Sequence, residues 1–189
     1  MVYLPGNENG GIYYVNSTII MTNLLNNRPL AGGFRGDGIS RSRILHTGYN
    51  QSVVKMRGLG MVVDGLTIGY SNIQGVTNTS AIALDLSGYN SSFDIRNTQL
   101  VNAYAACKAT LDDSGYATFS CMFQNVISEN CDQGFDMPTG SGNIYFNIYI
   151  FAYGLPHATR ALIDRSGVSR YDQFNVEHSN FRSTPIVLQ

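Results

Sequence analysis

Four short segments of this chain repeat one pattern at near-constant spacing, and that repetition limits the possible folds more than any other feature. They are Asn97-Thr-Gln-Leu-Val-Asn102, Asn125-Val-Ile-Ser-Glu-Asn130, Asn147-Ile-Tyr-Ile-Phe-Ala152 and Asn175-Val-Glu-His-Ser-Asn180. The leading Asn recurs after 28, 22 and 28 residues. A second mark runs beside it: Ser87-Gly88, Ser114-Gly115, Ser141-Gly142 and Ser166-Gly167, spaced 27, 27 and 25. Periods in this range belong to solenoids, propellers and arrays.

The repeated unit itself is β in character. Ala81-Ile-Ala-Leu-Asp85, Cys107-Lys-Ala-Thr-Leu-Asp112 and Arg160-Ala-Leu-Ile-Asp164 each end in Asp shortly before a Ser-Gly pair. A second apolar-alternating stretch follows, as in Phe119-Ser-Cys-Met-Phe123, and the Asn-led segment supplies a third. Three short strands per unit predict an all-β, three-sided, right-handed parallel β-helix of about six to seven coils. Helical repeats are excluded by the absence of a 3.6-residue apolar period, and a propeller blade would need roughly 40 residues. Residues 1–28 read as a lead-in segment and 29–189 as the solenoid, with Gly69–Ser80 a polar loop. Pro185-Ile-Val-Leu-Gln189 ends in a strand without a cap, as in a piece of a longer protein or one covered by another chain.

Stacked coils put each inward residue on its counterparts about 4.8 Å away, so apolar rows form a continuous core. An Asn at a corner tolerates left-handed backbone geometry and bonds the next Asn, which predicts a ladder of Asn97, Asn125, Asn147 and Asn175, with Asp64 in the Asn position upstream. Asp85, Asp112 and Asp164 read as one row of carboxylates accepting turn N–H groups.

Charge narrows the partners. Only 13% of the residues are charged and the net charge is −1, against 43% apolar. No basic excess draws nucleic acid or anionic lipid, and no apolar run is long enough to span a membrane as a helix. The N-terminus lacks the basic and apolar regions of a secretory signal. An uncharged amide- and hydroxyl-rich surface suits sugars, and equally suits a stable solenoid. Cys107, Cys121 and Cys131 have no metal-ligand spacing and read as buried free thiols, so no metal or other cofactor is expected.

Pro29-Leu-Ala-Gly-Gly-Phe-Arg-Gly-Asp-Gly-Ile-Ser-Arg-Ser-Arg-Ile44, with Val53-Val-Lys-Met-Arg-Gly58 and Val63-Asp-Gly-Leu-Thr-Ile68, resembles the opening coils of pectate-lyase-like β-helices. It is most similar to those of bacteriophage tailspikes and tail-fibre depolymerases. The resemblance covers roughly residues 28–189 as a pattern of Gly, Asn and apolar positions, without a catalytic signature. It implies an extracellular protein of the virion tail, a homotrimer or partner of other virion proteins, facing a host-surface glycan.

Candidate chemistry follows two lines. Glycoside hydrolysis needs two carboxylates, roughly 5–5.5 Å apart for retention or 6.5–9.5 Å for inversion. Asp112, Asp113 and Asp136 are the candidates, because Asp136 breaks the repeat's own Asp-x-Ser-Gly rule. Lyase chemistry ranks lower, since Lys55 and Lys108 share no Asp cluster in sequence. Glu129 and Asp132 read as solvated turn residues, and His46, His157 and His178 as surface or turn histidines. Tyr145, Tyr149 and Tyr153 fall on one strand face if the segment is extended, where rings could stack on sugars or on a neighbouring subunit. Arg35-Gly-Asp37 in a Gly-rich turn reads as a chance tripeptide. Two functions stay open: a receptor-binding β-helix that grips a surface polysaccharide, with or without hydrolysing it, or a non-catalytic spacer or interaction module of a virus particle.

Overall fold

The computed structural model describes residues 1–7, 9–22, 24–25, 28–29, 32–111, 117–137, 140–151, 158–165, 167–177, 181 and 186–188. The chain is a parallel β-solenoid of about six turns. In chain order its strands are β1 (Val2–Leu4), β2 (Gly11–Val15), β3 (Ile19–Thr22), β4 (Leu24–Leu25), β5 (Arg28–Pro29), β6 (Gly32–Gly36) and β7 (Ser42–His46). There follow β8 (Val54–Leu59), β9 (Met61–Tyr70), β10 (Ile82–Asp85), β11 (Asn90–Ser91), β12 (Asp94–Val101), β13 (Ala105–Lys108) and β14 (Thr118–Phe119). The last are β15 (Met122–Glu129), β16 (Gln133–Met137), β17 (Asn143–Phe151), β18 (Arg160–Asp164), β19 (Ser169–Glu177) and β20 (Ile186–Leu188).

One sheet stacks β1-β6-β9-β12-β15-β17-β19, with β2 and β7 as the separate second halves of its first two levels. The other runs through β3, β8, β10, β13, β16, β18 and β20. The short strands β11 and β14 continue the far end of β8. All these pairings are parallel; among the described residues only the small β4–β5 hairpin is antiparallel. The lead-in segment holds strands β1, β2 and β3, each in parallel register with the next level.

The long sheet folds at one row of residues. Gly65, Asn97, Asn125, Asn147 and Gln173 all have φ between 48° and 69° and fall between the paired residues on either side. Around each, the residues two before and one after point inward, as Phe123 and Val126 do around Asn125. A left-handed residue thus turns the strand around the core without ending it, as a bulge does. The result is two facets of one sheet: a leading facet before this corner and a trailing facet after it.

Three rungs of the expected ladder are present. Asn147 Nδ2 donates to Asn125 Oδ1 (2.7 Å), Asn125 to Asn97 (3.0 Å), and Asn97 to Asp64 Oδ1 (3.0 Å). Asp64 ends the ladder from one position ahead of the corner, which Gly65 occupies. Asn175 does not join: it lies opposite Tyr149 on the trailing facet, and Gln173 takes the corner. The Ser-Gly marks are not one corner either, because Gly88 precedes the β11 level whereas Gly142 falls in line with Ser92 and Ser120 after it. Ser114, Gly115 and Ser166 lie outside the described residues.

Inward rows close the core. Phe34, Val63, Ile95, Phe123, Tyr145 and Tyr171 form one row across six levels. Its last three rings stack nearly parallel, with centroids 5.1 and 5.0 Å apart, and Phe135 meets Phe123 and Tyr145 edge-on. The three cysteines are free and buried as expected, and burial pushes the Cys121 and Cys131 thiols up to about 12.

Candidate functional site

The trailing facet carries a cleft, and its origin is a corner that differs from the others. Where later coils turn on one left-handed residue, the level of β6 and β7 inserts a loop between Gly36 and Ser42. Gly38 N–H donates to Gly65 O (2.7 Å), and Ser42 Oγ donates to Leu4 O (2.7 Å) and accepts from Asp37 N–H (2.9 Å), so the loop is tied at both ends. The Asp37 carboxylate accepts from the Tyr3 hydroxyl and from Gly6 N–H, a structural use for the Arg-Gly-Asp tripeptide.

The loop overhangs the trailing facet and walls a cleft of about 360 Å³. Ile39 and Ser40 form the overhang; Arg43, Gln99, Asn102 and Glu129 supply polar groups. Gln99 is fixed between neighbours: its Nε2 donates to Glu129 Oε2, and its Oε1 lies 3.1 Å from Thr67 Oγ1. Asn102, at φ 59°, donates to Tyr70 O (2.9 Å). Arg43, half-buried, has no partner among the described residues. Arg43, Thr67, Gln99, Ile127 and Tyr149 form one outward column, so Tyr149 lies two coils below Gln99. At about 4.8 Å per coil that is roughly 10 Å, about the reach of two sugar rings.

The tyrosine segment divides here. Tyr145 is fully buried in the aromatic row, while Tyr149 is 39% exposed. They do not share a face, because left-handed Asn147 stands between them and shifts the alternation by one. Tyr145 therefore offers no ring to a sugar; burial, with Asp164 and Tyr171 nearby, raises its hydroxyl well above the ordinary range. Tyr153 lies outside the described residues.

The carboxylate candidates divide as well. Asp112 and Asp113 lie outside the described residues. Asp136 faces Lys108 on the next coil, Oδ2 to Nζ 3.4 Å, and belongs to an outward column of Lys55, Asp85, Lys108 and Asp136. Lys55 repeats the pairing with Asp85 at 3.4 Å. Both lysines thus do share carboxylates, brought there by the register alone. Asp85 also accepts from Ser87 N–H (2.9 Å), the expected turn role, but Asp164 falls one position off that column and accepts from the Tyr171 hydroxyl.

Two other turn assignments change. Asp132 is fully buried and accepts from Thr159 Oγ1 at 2.6 Å. His46 is fully buried against Tyr70, its Nδ1 accepting from Gly48 N–H (2.9 Å), and burial lowers its pKa. His157 and His178 lie outside the described residues. The cleft itself escaped the sequence, since its residues come from three separate stretches of chain and only the register joins Gln99 to Glu129, 30 positions on. The irregular glycine cluster at 32–38 was its one visible signal.

No group of three or more metal-ligating side chains occurs among the described residues. Comparison with known protein families, curated proteins and solved structures returns no match.

Proposed function

We propose that this chain is a glycan-binding β-solenoid of the tailspike type, and that the trailing facet grips a host-surface polysaccharide. The carrying observation is a cleft lined by Arg43, Gln99, Asn102 and Glu129, of which Arg43 and Gln99 share one outward column with the exposed ring of Tyr149. Planar amide, carboxylate and guanidinium groups suit the paired hydroxyls of a sugar, and an exposed ring suits its apolar face. Gln99 is pre-ordered by Thr67 and Glu129, which lowers the entropy lost on binding. The low charge of the surface and the likeness of residues 29–68 to tailspike coils point the same way, and with them to a place on a virion tail.

Binding without hydrolysis is the form of this reading that the carboxylates favour. Asp136 opposes an ammonium rather than a second carboxylate, and a glycosidase needs two carboxyl groups across the scissile bond. The test is a glycan array on the wild-type chain and on Gln99→Ala and Tyr149→Ala, with a reducing-sugar assay on the same glycans. Binding lost in both variants, with no new reducing ends, is the expected result. A wild-type chain that binds no glycan, or variants that bind as well as it does, would sink the proposal.

A further inference from the structure

Arg43 sits at the overhang end of the cleft with its charge unspent. The residue is half-buried, and its guanidinium makes no ion pair or hydrogen bond among the described residues. Other half-buried arginines behave differently: Arg57 donates to Ser87 O (3.2 Å), and Arg96 pairs with Asp64 (3.3 Å) and Asp94 (3.1 Å). In its outward column Arg43 has Ile12 on one side and Thr67 on the other, and the Thr67 hydroxyl already donates to Ile39 O. Asp37, in the overhanging loop, is occupied by the Tyr3 hydroxyl and Gly6 N–H. Glu129 is the one carboxylate among the residues lining the cleft, and it already accepts from Gln99 Nε2. It stands three coils from Arg43, roughly 14 Å at about 4.8 Å per coil. The cleft therefore has a cationic end under the overhang and an anionic end toward Tyr149.

We propose, on the glycan-binding reading above, that the cleft takes an acidic glycan, with the carboxylate of a uronic acid seated on Arg43. A cation drawn partly out of water without a counter-charge is costly, and an arriving carboxylate relieves that cost. The planar guanidinium meets a planar carboxylate through two parallel N–H···O bonds, which fixes the acidic ring in orientation as well as place. Sugar hydroxyls alone would leave the charge of Arg43 uncompensated. With the acidic ring held under Ile39 and Ser40, the rings that follow along the facet reach Gln99 and Asn102, then Glu129. Glu129 accepts from hydroxyl groups there and repels a second carboxylate, so the ring beside it is neutral. The two ends of the cleft thereby set which way round the polysaccharide lies.

The test is an array that pairs each uronic acid-containing glycan with its carboxyl-reduced form, beside neutral and sulfated glycans. Wild type and Arg43→Gln are both applied, with thermal melts to verify that each is folded. Wild type is expected to bind acidic glycans and to lose roughly tenfold or more in affinity when the carboxyl group is reduced. Arg43→Gln should show a similar loss on the acidic form and should bind the acidic and reduced forms alike, because guanidinium and carboxylate act as one pair. Added salt should weaken wild type more than the variant. Should Arg43→Gln fail to fold, the loss on carboxyl reduction decides with wild type alone. Wild type that binds a glycan equally before and after reduction, or prefers sulfated glycans, overturns the carboxylate assignment and leaves the glycan-binding reading standing. A folded Arg43→Gln that still discriminates between the two forms does the same. A wild type that binds no glycan on the array overturns both.

Discussion

Lys108 and Asp136 face each other across adjacent coils at 3.4 Å, and with Lys55 and Asp85 they form a column of alternating charge. These are the chain's only two lysines. Each is about a quarter exposed and each carboxylate less so. Partly buried pairs of this kind contribute modestly when intact and cost more when one partner is left alone. Asp136→Asn is therefore expected to lower stability by about 1–2 kcal/mol in urea denaturation and to leave glycan binding unchanged. Lys108→Asp should cost more, since three carboxylates would then stand about 4.8 Å apart, and added salt should recover part of the loss. A general acid or base at position 136 predicts a different outcome: a fall of ~100-fold in turnover with stability intact.

The asparagine corner makes a second prediction, from the one level where the ladder stops. Gln173 has φ 54° and the same register as Asn147, but carries one methylene too many to continue the row. Gln173→Asn should add a rung to Asn147 and relieve the backbone, raising stability by about 0.5–1.5 kcal/mol. Asn125→Ala should remove two rungs and place Ala at φ 52°, a loss of about 2–3 kcal/mol. Asn125→Gly should lose less, because only the hydrogen bonds go. If Ala and Gly cost the same, the left-handed geometry is not what selects Asn.

The fold was legible because stacking repeats both chemistry and geometry: a corner that needs a left-handed residue writes Asn97, Asn125 and Asn147 into the chain. The same mark misled at Asn175, since a period alone cannot tell the corner from a site two residues later. Thiol burial could be read from apolar neighbours, and Asp85's turn role from its distance to the Ser87 N–H. The cleft and the charge column could not. Both join residues from different coils whose lengths vary, so one uncertain step in the count displaces every later partner. Tyr145 and Tyr149 failed for a related reason: strict alternation assumes an unbroken strand, and Asn147 breaks it.

His46 sets a pH dependence. Its imidazole is wholly buried, accepts a backbone N–H at Nδ1, and has its pKa lowered by desolvation. The unfolded chain, with a pKa near ~6.5, binds the proton more readily than the folded one. Stability is then fully present above about pH 6.5 and falls as the pH drops below it, because unfolding takes up a proton there. Urea midpoints between pH 5 and 8 should show this decline, and His46→Gln should flatten it. A decline of equal slope in the variant would place the titrating group elsewhere.

The two tyrosines flanking Asn147 should separate stability from binding. Tyr145 stacks between Phe123 and Tyr171, and its buried hydroxyl has no hydrogen-bond partner among the described residues. An unsatisfied buried hydroxyl costs roughly 1–3 kcal/mol, so Tyr145→Phe should keep the ring contacts and raise stability by about 1 kcal/mol. Tyr145→Ala should lose about 3–5 kcal/mol through the cavity left in the aromatic row. Tyr149 presents its ring to solvent in line with Gln99, and Tyr149→Ala should change stability by under about 1 kcal/mol while abolishing most glycan binding. Melting curves and array signals on the same three variants give the comparison. Tyr145→Phe with normal binding and Tyr149→Ala with a normal melt is the expected pattern. Loss of binding in Tyr145→Phe, where only a buried hydroxyl is removed, would mean that the core row and not the trailing facet governs recognition.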